Sequence, residues 1–338
     1  MPDFGKRPTI RELAAETGLS PAAVSYALRG IQVSVETQER VREVADRLGY
    51  EVDPIARALR GGPTGTIGLV VGSLSDFWHQ SLVNEVQRVL RSLGRSLLVA
   101  DADGDAELGV DLARKLVDQR VDALIVSPVG RPVDDWHRLA ERAPIVTLGA
   151  NLPGVAVAGE VVFDNDRGVE LTLRHLQELG HRRICVLSWV MGEAVDRTAE
   201  RALEAWSARY GIRLELQRSA FTLDGAASLA REILGRDDRP TALFCLSDSF
   251  AYGVYLACRQ LGLSVPDDVS VVGFDDFPLS ILVDPPLTST GWDLQRAASL
   301  AVDAAVRAVE GGAPSDADRT LIEPALALRD STGPAPRR

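Results

Sequence analysis

The chain has 338 residues, 46% hydrophobic and 25% charged, the composition of a globular protein of two or three domains rather than a disordered or fibrous one. Its 37 Lys and Arg stand against 48 Asp and Glu, a net charge of −11, which excludes a uniformly basic nucleic-acid binder. No apolar run approaches the ~20 residues of a membrane-spanning helix, and no apolar export core opens the chain. The expected location is therefore the cytoplasm, with no membrane partner. There Cys185, Cys245 and Cys258 are expected as reduced, buried thiols, because neither they nor the four histidines show metal-ligand spacing.

The first elements lie between Thr9 and Gly30 and predict two short helices joined by a tight turn. Thr9 caps the first, with Glu12 placed for a capping box, and Ile10, Leu13 and Ala14 share one face. Gly18 allows the sharp turn. Ser20 caps the second helix, Pro21 opens it, Val24, Ala27 and Leu28 face inward, and Gly30 closes it. This pattern predicts a helix-turn-helix whose second helix enters a DNA major groove, although a plain helical hairpin has the same grammar. A third helix is expected from Val35, capped by Ser34, to Leu48, stopped by Gly49, with Val41, Val44, Ala45 and Leu48 inside. Residues 1–62 carry nine basic and nine acidic side chains, so the acidity of the protein lies beyond this head.

Next comes DPIARALRGG. Asp53 and Pro54 start a short helical segment, Ile55 and Leu59 share a face, and Gly61 and Gly62 end it. The segment reads either as a linker or as a hinge that becomes helical only against DNA and a second copy of itself. As a hinge, it places Leu59 as a minor-groove wedge and sets Arg57 and Arg60 against phosphates.

From Thr66 strands alternate with helices. TIGLVVG, SLLVAD, VDALIVS and PIVTLG are strands of one βαβ series. VVFD, RICVLS, TALFCLS and VSVVGFDD belong to a second, with a long helix at about 195–210, a helix at 224–234 directly after it, and a last helix at 294–309 before a strand-like LIEPAL. Two such series predict two α/β lobes built on parallel sheets, with a cleft between them. The expected divisions are a head over 1–51, a hinge over 52–62, the two-lobed domain over 63–330, and a disordered Pro-, Gly- and Arg-rich tail over 331–338.

Taken together, the head, VREVADRLGY, PIARALRGG, VVFDNDRGVELTLRHLQELGHRRICVLS, VPDDVSVVGFDD and DPPLTST resemble the LacI/GalR family of transcriptional regulators across nearly the whole chain. The resemblance implies an all-α headpiece with a hinge helix and an α/β, two-lobed, periplasmic-binding-protein-like domain. It also implies a homodimer or tetramer, a two-fold symmetric operator and a small-molecule effector, with no cofactor. The lack of a long apolar C-terminal heptad favours the dimer. Positions matching base-contacting residues of the family are Pro21, Ala22 and Tyr26, with Ser25 and Arg29 nearby; Thr9, Ser20 and Ser25 are candidate phosphate donors. Pro21 and Ala22 suit a thymine methyl, and Tyr26 stands where many relatives have arginine, so it contacts base, contacts phosphate, or is simply an exposed aromatic.

The effector side departs from the family pattern. Asp275 matches an aspartate that binds ligand hydroxyls in sugar-responsive relatives. Ser247-Asp248 replaces an Asn-Asp pair, Gly149-Ala150 replaces Asp-Arg, and a ligand-holding arginine falls on Ala199, between Arg197 and Arg201. Phe77, Trp78 and Trp189 line either the cleft or the core. The expected effector is thus not a simple sugar held in the usual way, or binding has been lost. Two other classes compete, an enzyme and an exported solute-binding protein. No phosphate-binding glycine loop, nucleophile elbow or metal spacing supports the first. The attached head argues against the second.

Overall fold

The computed structural model describes residues 8–50, 62–129, 135–190, 198–312 and 319–337. The chain divides into two compact units, residues 1–64 and 65–338. The expected hinge, with Arg57, Leu59 and Arg60, lies outside the described residues, as does Arg197.

The first unit is three helices, α1 (Ile10–Thr17), α2 (Pro21–Leu28) and α3 (Val35–Leu48). Each begins at its expected cap. Glu12 N–H donates to Thr9 Oγ1, and the Glu12 carboxylate accepts from Thr9 N–H at 2.6 Å, closing the capping box. Ser20 Oγ accepts from Ala23 N–H at 3.1 Å and Ser34 Oγ from Thr37 N–H at 3.3 Å. Leu13, Ala14, Val24, Ala27, Val41 and Ala45 form a small core, with Ile10, Leu28, Val44 and Leu48 packed half-buried around it. Arg40 donates to Thr17 O at 3.3 Å and Arg47 pairs with Glu16 at 3.1 Å, tying α3 to α1.

In chain order the second unit runs β1 (Thr66–Val71), α4 (Phe77–Ser92), β2 (Ser96–Asp101), α5 (Ala106–Asp118), β3 (Ala123–Val126), α6 (Asp135–Ala140), β4 (Ile145–Gly149), β5 (Gly159–Phe163), α7 (Asn165–Glu178), β6 (Arg183–Val190), α8 (Thr198–Tyr210), β7 (Arg213–Ala220), α9 (Leu223–Leu234), β8 (Ala242–Cys245), α10 (Asp248–Leu261), β9 (Ser270–Asp275), β10 (Thr288–Trp292), α11 (Leu294–Val309), β11 (Arg319–Ile322) and β12 (Pro324–Ala327). Two six-stranded sheets result, ordered β11-β5-β4-β3-β1-β2 and β12-β10-β9-β8-β6-β7. Every pairing is parallel except β10 with β12. The inner strands are apolar on both faces because helices cover both. In lobe one α4 and α11 cover one face and α5 and α6 the other. In lobe two these places are taken by α9 with α10, and by α7 with α8.

The chain passes between the lobes at Asp164, Asp293 and Glu323. Asp164 and Asp293 cap the helices that follow them, accepting from Arg167 N–H at 3.0 Å and Arg296 N–H at 2.9 Å. The Asp164 amide also donates to Ile322 O at 3.0 Å, so two of the crossings are bonded together.

Four expectations change. The stretch between α8 and α9 contains a strand, β7, an edge strand whose alternation of exposed and half-buried residues carries little apolar signal. DPPLTST leads into a further strand, β10. LIEPAL is two strands rather than one, β11 closing sheet one and β12 closing sheet two. Residues 331–337 are docked rather than disordered, so the second unit continues past 330. Ser331 is fully buried; its Oγ donates to Val271 O at 2.6 Å and accepts from Thr288 N–H at 2.8 Å. Gly333 N–H donates to Ser270 Oγ at 3.1 Å, Gly333 O meets His181 Nε2 at 3.0 Å, and Ala335 N–H reaches Leu179 O at 2.8 Å. Composition alone misses such a tail because its order comes from partners far along the chain.

The three thiols are free and buried in lobe two, and burial pushes Cys185 and Cys258 each up to about 12. Among the described residues no helix is long and apolar enough to cross a membrane.

Candidate nucleic-acid interface and effector cleft

On the head, Pro21, Ala22 and Arg29 are exposed, and Ser25 and Tyr26 are half-buried. All five belong to α2 or its C-cap, on a helix whose inner side is spent on Val24 and Ala27. The Arg29 guanidinium lies over the Tyr26 ring, 5.5 Å from its centroid. Thr9 and Ser20 are exposed, yet their hydroxyls serve the caps: Thr9 Oγ1 also donates to Glu12 at 3.0 Å. Capping accounts for both residues without a phosphate.

Open parallel sheets take ligands outside the C-terminal ends of their strands, and in the second unit Asp76, Phe77, Gly149, Ser247 and Asp275 lie at or just beyond such ends. Asp76, nearly buried, caps α4 by accepting from Trp78 N–H at 3.0 Å, and His79 Nδ1 sits 3.3 Å from its other oxygen. Phe77 is exposed and meets Phe277 of lobe two edge to face at 6.1 Å. Trp78 turns inward instead. Its ring packs on Phe163 at 5.3 Å and fills the space beside Gly149, where an added Cβ would stand 3.2 Å from it. From Phe163 a column of rings continues through Trp292 at 5.6 Å and Phe274 at 4.8 Å to Phe244 at 5.8 Å, carrying aromatic packing from one lobe into the other. Phe77 thus faces across the lobes while Trp78 belongs to the core. Trp189 stands near the end of β6, paired with Ser219; its side chain is outside the described set.

Asp275 ends β9, half-buried, with φ at 118°, a backbone region costly for any residue but glycine. Its carboxyl is held well above the usual range, first by burial, then by the charges of Asp76 and Asp248; a hydrogen bond from Ser247 opposes this. Ser247 is fully buried and caps α10, accepting from Ser249 N–H at 3.3 Å.

Two acidic groups hold more of lobe two together than the sequence indicates. Asp248 is fully buried and accepts from Phe277 N–H at 2.8 Å, Ser280 Oγ at 2.5 Å and Ser289 Oγ at 2.6 Å. It therefore fixes the loop that follows Asp275. Burial pushes its carboxyl up to about 6. Beside Ala199, which packs on the lobe-two core, Glu200 takes Arg218 on both oxygens, at 2.7 and 3.4 Å, and accepts from Ser188 Oγ at 2.6 Å. Asp248 was visible beforehand as half of the Ser247-Asp248 pair; the Glu200–Arg218 pair depends on β7, which was not expected. Among the described residues no cluster of His, Cys, Asp and Glu is placed to hold a metal.

A family model described as a periplasmic binding protein-like domain matches residues 173–332. The HTH-type transcriptional regulator MalR of Streptomyces coelicolor is 31% identical over 340 residues, covering 97% of each chain. The HTH-type transcriptional repressor PurR of Vibrio vulnificus is 27% identical, covering 96% of this chain and 98% of its own. Among solved structures, the Lac repressor dimer bound to operator and the anti-inducer ONPF superposes with a TM-score of 0.85 at 25% identity, covering 97% of this chain and all of that one. A head of three capped helices, a two-lobed domain crossed by the chain at its hinge, and full-length similarity to MalR agree: the chain belongs to the LacI/GalR family of transcriptional regulators.

Proposed function

We propose that the protein represses transcription by binding a palindromic operator as a homodimer in the cytoplasm, with affinity set by a small molecule in the cleft. The observation that carries this reading is the match to an operator-bound repressor over the head as well as the lobes. The head supplies an exposed α2 N-terminus, free of charged side chains on its first turn and followed by Arg29. Arg57, Arg60 and Leu59 are assigned to the hinge, where paired copies insert Leu59 and bend the DNA. A ligand that prefers one arrangement of the lobes shifts operator affinity by its differential affinity for the two. Self-association is supported by Leu279, Ile281 and Leu282, three exposed apolar side chains within one turn after β9.

For the effector, Asp275 and Phe77 are the lining residues best supported by position; Ser247 acts through Asp275, and Trp189 and Arg197 keep their assignment from the family pattern. The effector is not a simple sugar held in the usual way. Gly149 offers no hydrogen bond from a side chain, Trp78 fills the space beside it, and Ser247 is spent on Asp275 and the α10 cap.

The test is selection of a randomised duplex library on the full-length protein at fixed salt. Enrichment of a palindrome, with affinity falling steeply as salt rises, supports the reading. No enrichment, alone or with a metabolite extract, overturns it. A saturable calorimetric signal with a common monosaccharide, abolished by Asp275→Ala, overturns the effector assignment alone.

A further inference from the structure

We infer that α2 reads its half-site through the C5-methyl groups of pyrimidines opposite Pro21 and Ala22, and so does not distinguish thymine from 5-methylcytosine there. The inference rests on the DNA-binding reading above. Recognition helices of this type present their N-terminal residues to base edges. Here the two outermost residues of that turn, Pro21 and Ala22, are exposed and carry only hydrocarbon. The nearest hydroxyl, Ser20 Oγ, accepts from Ala23 N–H at 3.1 Å to cap the helix. Pro21 has no backbone N–H to offer. The next groups along the helix with polar tips are Ser25 and Tyr26, half-buried, and then Arg29.

Arg29 is the one side chain of α2 and its C-cap able to hold guanine with two hydrogen bonds, and it stands at the far end, its guanidinium over the Tyr26 ring. That end of the helix suits phosphate, where an arginine adds affinity without sequence information. The first turn is left with apolar contact as its means of discrimination. In the major groove the apolar feature of a base pair is the thymine methyl. A side chain without donors or acceptors does not sense whether O4 of thymine or N4 of cytosine lies beside that methyl. A cytosine methylated at C5 therefore presents the same surface to Ala22 as thymine does, and the same operator position responds to cytosine methylation.

The experiment uses the full-length protein and the operator recovered by library selection. Each thymine of one half-site is replaced in turn by deoxyuridine, by cytosine and by 5-methylcytosine, and affinity is measured at one salt concentration. Loss of one buried methyl is expected to weaken binding roughly fourfold. At one or two adjacent positions deoxyuridine and cytosine should each bind several-fold more weakly than thymine, and 5-methylcytosine should restore most of the loss. Ala22→Gly and Ala22→Ser should each flatten the thymine-to-deoxyuridine ratio at one of those positions. Because the ratio is taken within one preparation, partial unfolding of a variant does not imitate this result. Failure to select any operator overturns both this inference and the DNA-binding reading. Selection of an operator on which deoxyuridine is silent at every position, or whose ratio survives both Ala22 variants, overturns this inference and leaves that reading standing.

Discussion

The Phe277 amide donates to Asp248 Oδ2 at 2.8 Å, joining the first turn of α10 to the loop beyond β9. The loop carries Asp275 on one side of this bond, and Phe277 meets Phe77 of the other lobe on the other side. A buried carboxyl thus fixes the lobe-two loop that meets Phe77 of lobe one.

Asp248 should make stability depend on pH. Its carboxyl ionises at about 6 in the fold against an ordinary 3.8. The folded state holds the proton more tightly, so this contribution is largest below about pH 4, declines as pH rises to about 6 and is constant above. Urea unfolding should show the wild type gaining up to ~3 kcal/mol on Asp248→Asn as pH falls from about 7.5 to 4. A constant difference between the two proteins would refute the assignment. Asp248→Ala, which strands three donors, should cost about 3 kcal/mol at neutral pH.

Gly253 lies where α10 packs tightly on α9. A Cβ there would stand 2.6 Å from Ala226 Cβ and 2.9 Å from Ala227 N. Alanine raises helix propensity by up to ~1 kcal/mol, but overpacking backbone costs ~1–3 kcal/mol. Gly253→Ala should therefore destabilise, with a lower urea midpoint; a raised midpoint would mean the helices separate freely.

Leu282 is 74% exposed, beside exposed Ile281 and Leu279. Buried against a second copy, these side chains would contribute ~1.5–3 kcal/mol each, and a charge among them would be left unpaired. Ile281→Asp with Leu282→Asp should shift sedimentation from dimer to monomer while circular dichroism is retained. An unchanged dimer would place the interface elsewhere.

In the hinge reading Leu59→Ala should weaken binding to the selected operator by about tenfold, and to random duplex by less than about twofold. The comparison is made by titration at one salt concentration. Equal losses on both would remove the wedge.

The head was legible almost to the residue, because caps and turns are local: Thr9, Ser20 and Ser34 all cap as their neighbours dictate. The two α/β series were legible from their apolar runs. β7 was not, because an edge strand with residues such as Glu215 and Arg218 has no fully buried face. Nor was the tail, whose partners Ser270, Val271 and His181 lie at least 60 residues away for the first two and 152 for the third. Asp275 was put forward by its match to the family pattern, and the structure places it at the end of β9. Trp78 could not be assigned between cleft and core, because only the missing side chain of Gly149 decides where its ring goes.

Because the chain crosses between the lobes at residue 164, 293 and 323, neither lobe is a continuous piece of polypeptide. As the ribosome delivers the chain, sheet one lacks α11 until residue 309 has emerged and β11 until residue 322 has. Sheet two then waits for β12 and for Ser331 to reach Val271. Both lobes therefore depend on the one segment from residue 319 to residue 333 for completion. A nascent chain that stops early thus leaves two unfinished cores rather than one finished lobe, and becomes a substrate for proteolysis instead of a half-working repressor.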